Sequence, residues 1–251
     1  ADKDQLNDRE YYHGLKSYVD SVVYPDFPYS HVYAIKEVVE KIPSDSILHL
    51  SINDSIRITN FFKLNPRIKT YANIGTHGID GCLSSFLGQA AAGDKQSYLV
   101  IGDLAFFYDM NAMRLRHIKN NVHILLINNE GGSEFYFNHM WKDEASDLHT
   151  TARHHTKAEG WVKSNNFIYL SAHDKESMQE ALKEFMRSDL DKPVFLEVFT
   201  EMKTDSDVIY DFFDLSRPKD VQSETIRRSK EFIKATIGQE KAQKIAGLFK
   251  K

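Results

Sequence analysis

A single cysteine, Cys82, is all that the 251 residues contain. An internal disulfide is therefore excluded, and a reducing cytoplasm is the expected setting. No apolar run approaches the roughly 20 residues of a membrane-spanning helix, so no membrane partner is expected. The chain opens ADKDQLNDRE, where a secretory leader would be apolar. It begins at Ala1 rather than Met, and reads either as a processed protein or as a domain cut from something longer. Neither sign of charge dominates: Lys and Arg number 32, Asp and Glu 36, for a net charge of -4. That balance gives no general attraction to nucleic acid or anionic membranes. The densest basic cluster, Arg227, Arg228 and Lys230, shares a predicted helix with Glu224 and Glu231, as a solvated face does. Internal repeats and low-complexity tracts are lacking. What remains is the composition of a soluble globular protein, 41% hydrophobic and 27% charged.

The middle of the chain alternates short apolar runs with helical patterns. Strands are predicted over Ser46–Ser51, Ile68–Ala72, Tyr98–Ile101, Val122–Ile127, Phe167–Leu170 and Val194–Phe199. Several are apolar throughout, as strands covered on both faces are. Val32, Ile35, Val38, Val39 and Ile42 are spaced for a helix that Ser30 would cap. Further helices are predicted over Ser55–Lys63, Asp80–Ala92, Tyr108–Ile118, Thr156–Ser164 and Lys175–Arg187. Strand and helix in alternation imply an α/β fold: a doubly wound parallel sheet of about six strands with helices on both faces. Residues 1–30 read as an arm or interdomain linker, 31–200 as the domain, and 201–251 as an extension. Within that extension, Glu201–Val221 is expected to be irregular, followed by two short helices near 223–236 and 240–249.

Doubly wound sheets bind ligands at the carboxyl ends of their strands. Strand Tyr98–Ile101 runs into GDLAFFYDMNA and delivers Gly102 and Asp103 to that edge. The helix start beyond offers backbone N–H groups to a phosphate. Asp103 adds a hard carboxylate oxygen, suited to Mg²⁺. The next strand ends in INNEGGSEF. In a parallel sheet the two ends emerge on one side, so Asp103 and Asn129 can meet at one metal. Gly131 and Gly132 allow a tight turn and a carbonyl ligand. A GD pair, or an NN followed by GG, is ordinary turn chemistry when it stands alone. The pairing and separation are what point to a site.

These segments resemble the thiamine-diphosphate enzyme superfamily, whose signature is GD, then about 25 to 30 residues, then NN. GIDGCLSSFLGQA, IGDLAFFYDMNAM and INNEGGSEF resemble more closely the SEPHCHC synthases, the carboligases of menaquinone biosynthesis. The likeness covers roughly residues 30–200 and concerns that family's C-terminal, diphosphate-binding domain. It implies thiamine diphosphate and Mg²⁺ as cofactors, with Asp103, the Asn129 side chain and the Gly131 carbonyl as metal ligands. It implies Asn53, Gly102, Leu104, Ala105 and Gly132 around the diphosphate. Ile79 would be the apolar wedge that bends the cofactor. Arg57, His77 and Phe135 would face the substrate. A 2-oxo acid and an acceptor would be the small-molecule partners, and the subunits would form a homo-oligomer. The small residues of Asp80–Ala92, among them Gly81, Ser84, Ser85 and Gly88, would allow close helix packing at that contact.

Two departures mark the likeness. The family patterns GNSLPIRD and NRGASGIDG correspond here to SINDSIRI and NIGTHGIDG. Arg57 keeps the first arginine, but Asn53 replaces a serine, Ile74 replaces the second arginine and His77 replaces a small residue. An arginine fork cannot be reproduced by isoleucine, so the substrate pocket is expected to differ. The activating glutamate of the superfamily comes from the pyrimidine-binding domain, which this chain is expected to lack. The expectation is thus the cofactor half of a decarboxylase or carboligase, inactive by itself. The alternatives are a menaquinone-pathway synthase domain, or a non-catalytic module that keeps the fold. His139, His149, His154 and His155 lack zinc spacing, and no GxGxxG dinucleotide turn is present.

Overall fold

A computed structural model of the chain describes residues 9–75, 77–137 and 148–216. Its centre is a sheet of six parallel strands: β1 (Ile47–Leu50), β2 (Lys69–Ala72), β3 (Ser97–Gly102), β4 (Val122–Asn128), β5 (Ile168–Ala172) and β6 (Val194–Phe199). Their spatial order is β2-β1-β3-β4-β6-β5, and every pairing is parallel. The predicted strands all form, with bounds shifted by two residues at most.

Alternate residues of the central strands feed two separate cores, as the pleat requires. Tyr98, Val100, Leu125, Ile127, Leu196 and Val198 point to one. Leu99, Ile101, Ile124, Leu126 and Phe195 point to the other. On the first face pack α2 (His31–Val39), α3 (Asp54–Thr59), α8 (Lys175–Phe185) and α9 (Met202–Ser216). The second face takes α4 (Cys82–Ala91), α5 (Asp103–Asp109) and α7 (Glu159–Ser164). Helices cover both faces, and the fold is doubly wound. The short α6 (Ser133–Phe137) follows β4. Ser30 caps α2, its hydroxyl accepting from the Tyr33 N–H at 3.3 Å.

Two expectations need correction. The helix after β3 starts at Asp103, not Tyr108, because Gly102 ends the strand in extended backbone and the chain turns at once. It gives way to a 3₁₀ turn at Met110–Arg114, where the Trp161 indole donates to the Met110 carbonyl at 2.8 Å. The stretch read as irregular from Glu201 is helix over Met202–Ser216. The Glu201 carboxylate caps it, accepting from the N–H groups of Lys203 and Thr204. Inside the N-terminal arm, Arg9–Ser21 forms α1, none of whose residues is buried. The two short helices predicted near 223–236 and 240–249 lie outside the described residues.

Register fixes where a ligand can sit. Gly102 pairs with Ile127, so Asp103 leaves β3 beside the point where Asn128 and Asn129 end β4. Leu50 pairs with Val100, which brings the turn after β1 alongside. From that turn the chain enters α3 on one face, while β3 enters α5 on the other. The carboxyl ends of β1 and β3 therefore part at the topological switch point, where such sheets open a crevice.

Candidate functional site

A cleft of about 750 Å³, counting its open mouth, lies at this point. Residues 51–55 form one wall, 102–105 the floor, and 131–135 the other wall. Asp103 sits at the floor, only 2% exposed. Its Oδ1 accepts from the Leu104 N–H at 2.6 Å, and its Oδ2 from the Gly131 N–H at 2.9 Å. The second bond ties the end of β3 to the loop after β4. His154 Nε2 stands 3.3 Å from Asp103 Oδ2. Its Nδ1 accepts from the Thr156 N–H at 3.0 Å, which leaves the ring proton on Nε2. The nearby Asp103 carboxylate raises the His154 pKa, outweighing partial burial.

The two asparagines that end β4 have separate tasks. Asn128 faces inward, donating to the Thr156 carbonyl at 2.9 Å and to Glu197 Oε1 at 2.7 Å. Glu197 is fully buried, and also accepts from the Ala158 N–H and, at 2.7 Å, from the Tyr169 hydroxyl. Each of these buried polar groups is thereby matched. Asn129 lines the cleft, and its Nδ2 donates to Asp205 Oδ2 at 3.0 Å.

Asp205 is itself fully buried. It also accepts from Thr200 Oγ1 at 2.6 Å and from the His31 N–H at 2.8 Å. Burial alone would raise its pKa. The neighbouring His31, with the bonds from His31, Thr200 and Asn129, outweighs burial and holds the pKa below the usual carboxylate range.

The loop between Asn129 and α6 is possible only with glycine. Gly131 has φ +151°, and a Cβ there would lie 2.7 Å from the Thr151 carbonyl oxygen. Glu130 before it also takes a positive φ, 66°. The Gly131 carbonyl accepts from the Ser133 N–H at 3.1 Å, and the Gly132 N–H donates to Thr151. On the opposite wall Asn53 holds φ 65° and ψ −127°, a rare conformation for a residue with a side chain. Ser133 Oγ donates to Asp54 Oδ2 at 2.5 Å, and Arg57 pairs with Glu134, so two contacts tie α3 to α6.

Of the residues singled out from sequence, Asn53, Ile79, Gly102, Asp103, Leu104 and Ala105 line this cleft. So do Asn129, Gly131, Gly132 and Phe135. Arg57 does not; its side chain is half exposed beside Glu134. His77 lies on an exposed loop with φ 54°, also outside the lining. The sequence reading missed His31, Asp54, Ser133 and Asp205, and weighed His154 only as part of a zinc cluster. A histidine directly after a cap serine, at the head of an apolar helix, was a signal for His31. Nothing local marks Asp205. Among the described residues no group of three His, Cys, Asp or Glu is placed to hold a metal. One carboxylate, one amide oxygen and one carbonyl is a different donor set, with the hard oxygens that Mg²⁺ prefers. The site fits that ion on one observation above all: Asn129 gives its nitrogen to Asp205, so its oxygen is left for the cleft.

Sequence comparison identifies the relatives. The chain is 35% identical over 206 residues to the 2-succinyl-5-enolpyruvyl-6-hydroxy-3-cyclohexene-1-carboxylate (SEPHCHC) synthase of Bacteroides fragilis, a match covering 81% of the chain. The synthase of Phocaeicola vulgatus is 35% identical over 200 residues, 79% of the chain, and that of Christiangramia forsetii 34% over 193, 76% of the chain. Over most of its length the chain is thus a homologue of SEPHCHC synthases. These synthases are thiamine-diphosphate-dependent enzymes. The matches cover 37%, 36% and 33% of the respective synthases, so the chain spans little more than a third of their length. No protein-family model matches the chain. Among the described residues no helix is long and apolar enough to cross a membrane.

Proposed function

We propose that this chain is the diphosphate- and metal-binding part of a thiamine-diphosphate-dependent 2-oxo acid decarboxylase or carboligase. The observation that carries the reading is the convergence of Asp103, the Asn129 amide and the Gly131 backbone at one cleft on the sheet's carboxyl edge. Asp103, Asn129 Oδ1 and the Gly131 carbonyl would hold Mg²⁺, with diphosphate oxygens and water completing its shell. Gly102, Leu104, Ala105 and Gly132 would offer backbone to the diphosphate, and Asn53 would meet it from the facing wall. Ile79, half-buried at the cleft and packed on the second core, would support the bent cofactor. When bound, thiamine diphosphate supplies a carbon nucleophile that adds to the 2-oxo acid. Phe135, exposed at the mouth, would bound the substrate's approach. The protein's part here is orientation and charge compensation.

The reading includes a partner, a pyrimidine-binding domain or subunit that carries the activating carboxylate. It also includes self-association through the exposed small residues of α4, Ser85 and Gly88 among them. Calorimetry of thiamine diphosphate binding with and without Mg²⁺ tests it. Binding should require the metal and vanish in Asp103→Ala; equal affinity in the two proteins would refute the assignment.

A second reading, a menaquinone-pathway synthase with a remodelled pocket, is favoured by the names of the relatives. Turnover of 2-oxoglutarate with isochorismate in the assembled enzyme would select it. Turnover of another 2-oxo acid alone would select the first.

A further inference from the structure

His31 is a fully buried side chain for which the metal and cofactor assignments have no use. It sits at the first turn of α2, 1% exposed, and lines the cleft. Its backbone N–H donates to Asp205 Oδ1, and its Nδ1 lies 3.3 Å from the same oxygen. The other ring nitrogen, Nε2, has no hydrogen-bond partner among the described residues. The nearest acid, Asp54 Oδ2, is 3.9 Å away, beyond hydrogen-bonding distance, and is already taken by Ser133 Oγ. A buried polar atom without a partner is costly and calls for one.

Asp205 therefore orients two side chains at once. Through Oδ2 it takes the Asn129 nitrogen and leaves that amide's oxygen to the cleft. Through Oδ1 it accepts from the His31 N–H, and the Nε2 of that cleft-lining residue is left without a partner among the described residues. We propose that His31 Nε2 is a hydrogen-bond donor to an oxygen of the metal-bound diphosphate, a binding group that complements the Mg²⁺ ligands from the far wall. The inference rests on the diphosphate reading above. An anion is the ligand it fits, because Nδ1 accepts from the Val32 N–H at 3.0 Å, which leaves the ring proton on Nε2. Burial pulls the His31 pKa down, but the charge and hydrogen bond of Asp205, with Asp54 beyond, outweigh it and leave the pKa raised.

Two substitutions separate ligand binding from mere support of Asp205. Asparagine at position 31 can keep a nitrogen where Nδ1 stands but has nothing at Nε2. Glutamine reaches the Nε2 position and forfeits the other. The probe is inorganic pyrophosphate with Mg²⁺, titrated calorimetrically at pH 7 into the full chain, His31→Asn, His31→Gln and Asp103→Ala. A charge-assisted bond of this kind implies about tenfold weaker binding in His31→Asn, with His31→Gln within about threefold of the parent. Parent-like affinity in His31→Asn, alongside lost binding in Asp103→Ala, would overturn the role of His31 and leave the metal reading standing. Parent-like affinity in Asp103→Ala, or no binding by the parent, would overturn the underlying reading itself. Nitrogen NMR of the parent labelled at histidine gives a second test that needs no variant at position 31. The His31 Nε2 resonance should move on adding Mg²⁺ and pyrophosphate, and an unmoved resonance in the saturated protein would refute the contact.

Discussion

Asn129 gives its amide nitrogen to Asp205 at 3.0 Å, and this one bond decides which end of the amide faces the cleft. An ionised carboxylate only accepts, so the group bonded to it must be the NH₂. Replacing Asp205 by asparagine would set donor against donor unless one amide turned over, and a turned Asn129 would point nitrogen at the metal. Groups that orient a metal ligand typically cost 10- to 100-fold in affinity when removed. Asp205→Asn should therefore weaken Mg²⁺-dependent thiamine diphosphate binding by about tenfold or more. Calorimetry at fixed cofactor checks it; unchanged affinity would mean that Asn129 keeps its orientation without Asp205.

Gly131 is expected to tolerate no side chain. At φ +151° with the Thr151 carbonyl 2.7 Å from a would-be Cβ, alanine must displace backbone. A loss of about 3 kcal/mol is expected for Gly131→Ala. Gly102 is the control. Its φ is −83° and its Cβ position is open to 4 Å. Gly102→Ala should cost under about 1 kcal/mol. Urea midpoints of the two variants should differ accordingly, and equal midpoints would contradict the geometry of this loop.

The acid sensitivity of the fold should centre on His123. It lies buried in β4, stacked on Tyr98 at 4.5 Å, with Nδ1 2.8 Å from the Phe185 carbonyl. Burial lowers its pKa from 6.5 to about 4, a cost that the Phe185 hydrogen bond only partly offsets. Between those values the unfolded chain binds a proton that the native protein refuses. Stability is thus intact above about pH 6.5 and falls as pH drops toward 4, by on the order of 3 kcal/mol. His123→Leu should flatten the slope of stability against pH in that window, whatever its stability at pH 7. Urea unfolding at pH 7, 6 and 5 measures it; equal slopes in the two proteins would exclude His123 as the source.

The readable parts of the molecule were those that obey periodicity. The central strands were visible because apolar runs such as Tyr98–Ile101 have no other use than a covered sheet, whereas the edge strand β2 is exposed throughout. With parallel strands assumed, the meeting of the β3 and β4 ends followed. Helix α9 was not readable. After Met202 its opening, KTDSD, is polar, and Val208, Ile209 and Phe212 supply the rest of its buried apolar face. With it went Asp205, whose importance arises from a partner 76 positions earlier, Asn129. The early start of α5 was hidden for a related reason. GDLAFF carries no cap residue at Gly102, and the turn is fixed by the Asp103 carboxylate reaching the Leu104 and Gly131 N–H groups. Local patterns record which face a residue takes, and long-range polar pairing leaves no such trace.

The chain by itself should consume no 2-oxo acid at a useful rate. Activating thiamine diphosphate requires a carboxyl group within hydrogen-bonding reach of the aminopyrimidine, at the opposite end of the cofactor from the diphosphate. The carboxylates that the structure describes in or beside the cleft are committed elsewhere. Asp103 holds two backbone N–H groups beside the proposed metal, and Asp205 is buried beneath Asn129. Asp54 accepts from Ser133, and Glu134 pairs with Arg57. Glu130 lies in the loop next to Asn129 and contacts His155 at 3.0 Å. None is free to serve the far end. The measurement is 2-oxo acid consumption with Mg²⁺ and thiamine diphosphate, first by this chain and then after adding the pyrimidine-binding region of a family synthase. Turnover should appear only in the second case, and should then fall away in Asp103→Ala. Robust turnover by the chain alone would require an activating carboxylate inside it, and would overturn its assignment as the diphosphate-binding part.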